Sequence, residues 1–526
     1  MQILGTINEL DDIEDLKASL SKIDVDISNI EDIFENDAKT GKISLNGFDF
    51  YIDNNNQVLD YTGVSKVEMP EKSNSTAFNR DFGRIDIVFL NGTGYDVTST
   101  PNRPSLDNTM VPVYYDETNS VWKVCSENDT NWYNYYAANV SKAGTIDGDS
   151  KLSKWANVML TDEITVEKDG ITYTTEQIKD LINGNNMNTI VGANVSTEGS
   201  MLVWIPRYAY KITYYNESSK TTVVGYSDSR GLVDTEGKTP VDIDDPKTSV
   251  NVHGTIENTD YEYYRTHPAF ERDLNQGGWK KKTTGIWVGK FEATGTIDGV
   301  TTKSNTIALK SKSIGVLYDA LKNSFKSKTT ESHMMKNSEW GAIVYLAESK
   351  YGRNEALITK NENIDFYTGD GDYIENLDQS TTGNIYGIYD LVGGAYEYVA
   401  SYIANNQNSE GYQFTSTDGL STTNNNKIMS TEYATVYSYN DTSDTNIDNY
   451  KLSLNKVFGD AICETSTNGD LSTSWHSSYS YFMNNEDSFL RRGSGADGNS
   501  AGLFYFVSSA GTASIRCSSR AVCIVN

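Results

Sequence analysis

The side chains able to carry redox, metal or acid–base chemistry in this chain are few and widely spaced. Its four cysteines, Cys125, Cys463, Cys517 and Cys523, form no CxxC pair and lie too far apart for a zinc ribbon. Cys517 and Cys523 would share one face of an extended strand, about 20 Å apart. Cys463, in GDAICETS, reads as a buried apolar residue. The four histidines, His253, His267, His333 and His476, include no two at helical ligand spacing, so no metal triad is expected. The segment TGDGDYIENLD alternates carboxylates in the manner of a calcium loop but departs from the EF-hand spacing. A solvated acidic turn is the favoured reading. No cofactor is therefore expected, calcium at this segment being the alternative.

The elements that must position these groups are mostly short strands. At 526 residues the chain has room for a large principal domain with smaller units before it. Its 35 tyrosines against 8 prolines and 4 histidines suit irregular β structure with polar loops, and the fold class expected is α+β. A net charge of -28 repels phosphate backbones and argues against nucleic acid as a partner. No run reaches the ~18 apolar residues of a membrane helix, and MQILGTINELDD lacks the order of a signal peptide.

Along the chain, Leu10, Ile13, Leu16 and Leu20 recur at helical spacing over 8–23, and KISL, FDFYI and QVLDY follow as a meander ending near Gly63. This first unit, residues 1–65, resembles a small type IV pilin head without its apolar amino-terminal helix. Residues 66–107 read as a connector containing one strand, 85–90. Residues 108–526 read as one domain. Within it MVPVYYD, SVWKV, NWYNYY and KWANVML are β-like, TTEQIKDLINGN is a short helix ending at Gly184, and 225–260 and 405–450 are surface loops.

Five segments then occur in order: GSMLVWIPRYAYKI, GIWVGKFEATG, HMMKNSEWGAIVYLA, GNIYGIYDLVGGAYEYVASY and the closing LRRGSGADGNSAGLFYFVSSAGTASIRCSSRAVCIVN. Together they resemble the formylglycine-generating-enzyme family, which implies a C-type lectin-like fold over roughly 110–526. Glu339, Trp340, Asp390 and Glu397 match family positions. Read from the residues alone, the carboxylates satisfy buried backbone donors rather than perform acid–base work. The resemblance also implies, for a true oxidase, two copper-binding cysteines between the Arg-Gly segment and the closing strand, where soft thiolates suit Cu(I). The window 494–515 contains no cysteine, so no enzyme activity is expected.

A fold kept without its catalytic thiols points to ligand binding. The closing segment is also similar to that of the variable proteins of diversity-generating retroelements, which carry diversified positions on a constant scaffold. Gly493, Gly495, Ala501, Gly502, Phe504, Phe506, Gly511 and Arg520 match the scaffold pattern. The interleaved Tyr479, Tyr481, Asn484, Asn485, Asp487, Arg491, Ser494, Asp497, Asn499, Tyr505, Ser508, Ser509 and Thr512 are the expected exposed, ligand-binding face. Tyr, Asn and Ser combine rigid aromatic area with adaptable hydrogen bonding. The expectation is a non-catalytic receptor or adhesin outside a bacterial cell or on a virion, binding a protein or glycan. The alternatives are a structural subunit of a pilus or tail fibre and, against the missing cysteine pair, a formylglycine-generating-type oxidase.

Overall fold

The computed structural model describes residues 83–136, 152–216 and 264–403 nearly throughout, 432–526 with short gaps, and strands within 41–62 and 221–224; over 41–62, 83–84 and 213–224 it describes backbone only. The expected helix over 8–23, the insertion 225–260, His253, Asp497 and Asn499 lie outside the described residues. The fold is α+β and mostly strand.

The meander is present: β1 (Gly41–Leu45), β2 (Phe48–Ile52) and β3 (Val58–Thr62) form an antiparallel three-stranded sheet in the order β1-β2-β3. Next come β4 (Gly83–Leu90), β5 (Met110–Asp116), β6 (Val121–Val124), β7 (Asn157–Leu160), β8 (Thr165–Lys168) and β9 (Ile171–Tyr173). Helix α1 (Thr175–Asn183) follows, its Thr174 hydroxyl accepting the Gln177 N–H while Gln177 reaches back to the Thr174 N–H, and it ends at Gly184 as expected. Then come β10 (Asn194–Thr197), β11 (Met201–Pro206), β12 (Tyr208–Asn216) and β13 (Gly285–Gly289).

The second half runs α2 (Ile314–Asn323), β14 (Thr330–Met334), α3 (Asn337–Glu348), β15 (Tyr396–Ile403), β16 (Thr435–Tyr437) and α4 (Asn446–Ser453). It closes with β17 (Tyr479–Tyr481), β18 (Phe489–Arg492), β19 (Phe506–Ser509), β20 (Cys517–Ser519) and β21 (Ala521–Val525).

Ten strands form one sheet in the order β9-β8-β10-β6-β5-β7-β11-β13-β21-β14. Its middle is built from MLVWIP and GIWVG, whose residues are buried throughout, as strands covered on both faces must be. Trp204 and Trp287 lie directly opposite across β11 and β13, ring centroids 5.2 Å apart. A second sheet runs β16-β15-β18-β19-β17, with β20 added parallel to β15.

Helix α3 is buried on every side, so it acts as a core element rather than an amphipathic cover. Gly341 lets it approach the 459–461 turn: a Cβ there would lie 1.9 Å from the Gly459 carbonyl oxygen. Gly341→Ala must displace backbone, and we expect it to lower stability by about 3 kcal/mol, read as a reduced melting temperature. A melting temperature equal to that of the wild type would refute the close approach.

Four expectations are corrected. The stretch 66–107 is more than a connector: β4 pairs along its length with β12 and sends Ile85, Ile87 and Phe89 into the main core. The insertion 405–450 is not wholly a surface loop: β16 joins the second sheet beside β15, and Tyr450 of α4 is fully buried. NWYNYY forms only an isolated bridge, Asn134 to Lys154, although its Trp132 is buried and donates to the Asn157 carbonyl. Cys517 and Cys523 do not share one strand face, because the chain leaves the second sheet after β20 and enters the first as β21, with Arg520 at the crossing.

Candidate binding face

The five ordered segments meet in the core, and several of their charged residues are paired there. Arg520 donates to both Glu397 oxygens, at 3.0 and 2.6 Å, and to the carbonyls of Gly289 and Tyr389, each at 2.8 Å. Asp390 accepts from the Gly369 N–H and the Asn361 amide, and Glu292 from the Ala395 N–H. Burial pushes the carboxyl of Glu292 well up and that of Asp390 up to about 6. Lys290 donates to Asn157 and to the carbonyls of Ile385 and Gly387, and burial depresses its pKa well below the usual lysine range.

Glu339 accepts from His333 Nε2 and from the Lys336 N–H at the start of α3, while Trp340 Nε1 donates to the Leu503 carbonyl. The reading of Glu339 and Asp390 as groups that satisfy buried donors holds; Glu397 instead finds a guanidinium. His267 is buried among aromatic rings with its pKa lowered by burial to about 3. All four cysteines are buried free thiols, and burial raises the pKa of Cys125 and Cys523.

In TGDGDYIENLD the carboxylates serve separate local partners. Asp370 accepts from Gln379, Asp372 from the Ile374 N–H, and Asp378 meets Arg353. Among the described residues no group of three His, Cys, Asp or Glu could hold a metal ion. No described helix is long and apolar enough to cross a membrane.

The second sheet presents the closing segment. Glu397 and Arg492 lie opposite each other across β15 and β18 and point inward, so Tyr396, Tyr398 and Arg491 point to the other face. Val507 of β19 lies opposite Arg491, and Tyr481 of β17 lies beside Val507, which extends that face across four strands. The Arg491 guanidinium sits 4.4 Å over the Tyr396 ring, with Nη1 3.8 Å from Cys517 Sγ. Tyr505 bridges Tyr396 and Tyr479, with ring centroids 6.0 and 6.1 Å away. Burial works against the Arg491 charge, but Cys517 and the hydroxyls of Tyr505 and Tyr396 outweigh it and hold the pKa above its ordinary value.

Of the residues expected on this face, Tyr479, Tyr481 and Arg491 lie on it half-buried. Asn484, Asn485 and Asp487, also half-buried, form the turn before β18, where the Asp487 N–H donates to the Asn484 side chain at 2.8 Å. Thr512 is exposed, its carbonyl accepting from Tyr398. Ser494, Tyr505, Ser508 and Ser509 were expected to be exposed and are buried. Ser508 points into the core because its neighbour Val507 points out; Ser509 takes the outward parity but is covered beside Phe489 and bonds the Gly511 N–H. Tyr505 is the floor of the tyrosine row rather than its rim, and Ser494 occupies the positive-φ turn after Gly493.

Tyr396 and Val507 belong to the face and were missed. The alternation in YEYV, with an inward Glu397, was the signal available for Tyr396. Compared with protein-family models and with curated proteins, the chain matches none.

Proposed function

We propose that residues 108–526 form a C-type lectin-like domain of the formylglycine-generating-enzyme type that binds a ligand instead of catalysing. The ligand is a protein or glycan met on another cell or particle, and the chain is displayed on a bacterial or phage surface. The observation that carries this reading is the shared face of Tyr396 from the fourth ordered segment, Arg491 from the fifth, and Tyr479 and Tyr481 from the strand that precedes it, all on the second sheet. Such a surface offers rigid aromatic area and a guanidinium, the residue types that dominate binding hot spots.

The absence of enzyme activity is part of the proposal. It is supported by the internal hydrogen bonds of Glu339, Asp390 and Glu397 and by the lack of any cysteine over 494–515. Diversification by a retroelement would act on the half-buried positions of the face and spare Phe504, Phe506 and Arg520, which are buried. A second reading, a structural subunit of a pilus or tail fibre, draws on the antiparallel meander of residues 41–62.

Deep resequencing of the region encoding 475–526 across a clonal population of the source tests diversification. Substitutions are expected at Tyr479, Tyr481, Asn484, Asn485, Asp487 and Arg491, with the buried scaffold unchanged. An invariant region would remove diversification and leave a fixed-specificity adhesin or a structural subunit.

A further inference from the structure

We propose that Arg491 is the anion-reading residue of this face and that the ligand it selects is a carboxylated sugar. The inference rests on the reading of the face as ligand-binding. Among the described residues no carboxylate lies within ion-pair distance of Arg491, whereas Arg520 is paired with Glu397 and the inward-facing, fully buried Arg492 donates to the Ala461 carbonyl. Its Nε is buried without a hydrogen-bond partner, and the contacts of its guanidinium are a thiol and a ring face. In a chain of net charge -28, a half-buried guanidinium left without a counter-ion is a fork held ready for a carboxylate.

The tyrosines narrow the class. Tyr396, Tyr505 and Tyr479 form a tilted row whose centroids step by about the width of one pyranose ring, and aromatic faces bury the apolar C–H face of a sugar while phenol hydroxyls take its hydroxyls. An acidic protein partner would bring many negative charges against a strongly negative chain. A single carboxylate on a small sugar meets chiefly the local field, because charges beyond about 8 Å are screened at physiological salt. A sugar ring lies along this row at its Tyr396 end, and its carboxylate takes the Arg491 fork.

The test is calorimetric titration of the full chain with sialyllactose and with a trigalacturonate, each beside its own methyl ester. The expected result is that at least one acid binds, that its ester binds at least tenfold more weakly, and that added salt weakens the acid alone. Arg491→Gln should bring acid binding down to the ester level. Because the wild-type comparison of acid with ester needs no variant, misfolding of Arg491→Gln would not blunt the test. Equal binding of acid and ester, no binding of either acid, or wild-type affinity in a folded Arg491→Gln would overturn the proposal. If resequencing finds the face diversified while neither acid binds, the ligand class falls and the binding face stands.

Discussion

Replacing Arg520 by methionine is expected to cost about 4 kcal/mol of stability, more than any single change on the sheet face. The side chain is fully buried, and its loss strands Glu397 without a cation and leaves the carbonyls of Gly289 and Tyr389 without their donor. It also removes the positive charge that opposes the elevated pKa values of Asp390 and Glu292. Removing one partner of a buried pair leaves an uncompensated charge, whereas removing both leaves a cavity that apolar groups fill. The double variant Arg520→Met with Glu397→Leu should therefore recover more than half of the loss. Urea denaturation of the four proteins of this cycle gives the coupling directly. A single variant as stable as wild type would mean that the cluster holds nothing together.

Stability should also fall as pH rises from 5 to 8, through Glu464. This carboxyl is buried and accepts from the hydroxyls of Tyr210 and Tyr345 and from the Gly459 N–H. Burial raises its pKa from 4.5 to about 7, the Gly459 N–H opposing and Asp460 reinforcing the shift. A folded-state pKa above the unfolded one means that the folded chain holds the proton more tightly. The contribution is therefore complete below pH 4.5 and is lost as pH rises through 7. Integrated between pH 5 and 8, it amounts to about 2.5 kcal/mol. Asp390, raised from 3.8 to about 6, adds a loss of the same sign at lower pH. Glu464→Gln, which keeps an acceptor for the tyrosines but cannot ionise, should flatten the slope between pH 5 and 8 by about that amount. An unchanged slope would show that Glu464 titrates no differently in the folded chain.

What could be read in advance followed the strength of local patterns. MLVWIP and GIWVG declare themselves as central strands because both faces are covered and no polar residue interrupts them. TTEQIKDLINGN carries its own cap and stop. β4 was underestimated because its short apolar run, Ile85 to Leu90 interrupted only by Asp86, sits amid a polar stretch, and its partner β12 lies more than a hundred residues later. α4 has no apolar period at all: Asn446 and Asn449 hold it through bonds to the carbonyls of Phe482 and Met483. Nothing local signals such a helix.

The site divides in the same way. Tyr479, Tyr481 and Arg491 were readable as the outward residues of short strands. Ser508 was misassigned because polarity was taken for exposure, when strand parity alone decides its direction. Cys517 and Cys523 looked coplanar because no glycine or proline marks the passage between sheets at Arg520.

That passage sets the order of assembly at the ribosome. β21 lies between β13 and β14 in the ten-stranded sheet, yet it is made more than two hundred residues after β13. At 5–20 residues per second, the edge of β13 waits roughly 10–50 s for its partner. Throughout that interval it is an unpaired apolar template open to other nascent chains. Slow translation or crowded polysomes should therefore raise the aggregated fraction of this protein more than they would for a fold whose neighbouring strands follow one another in sequence.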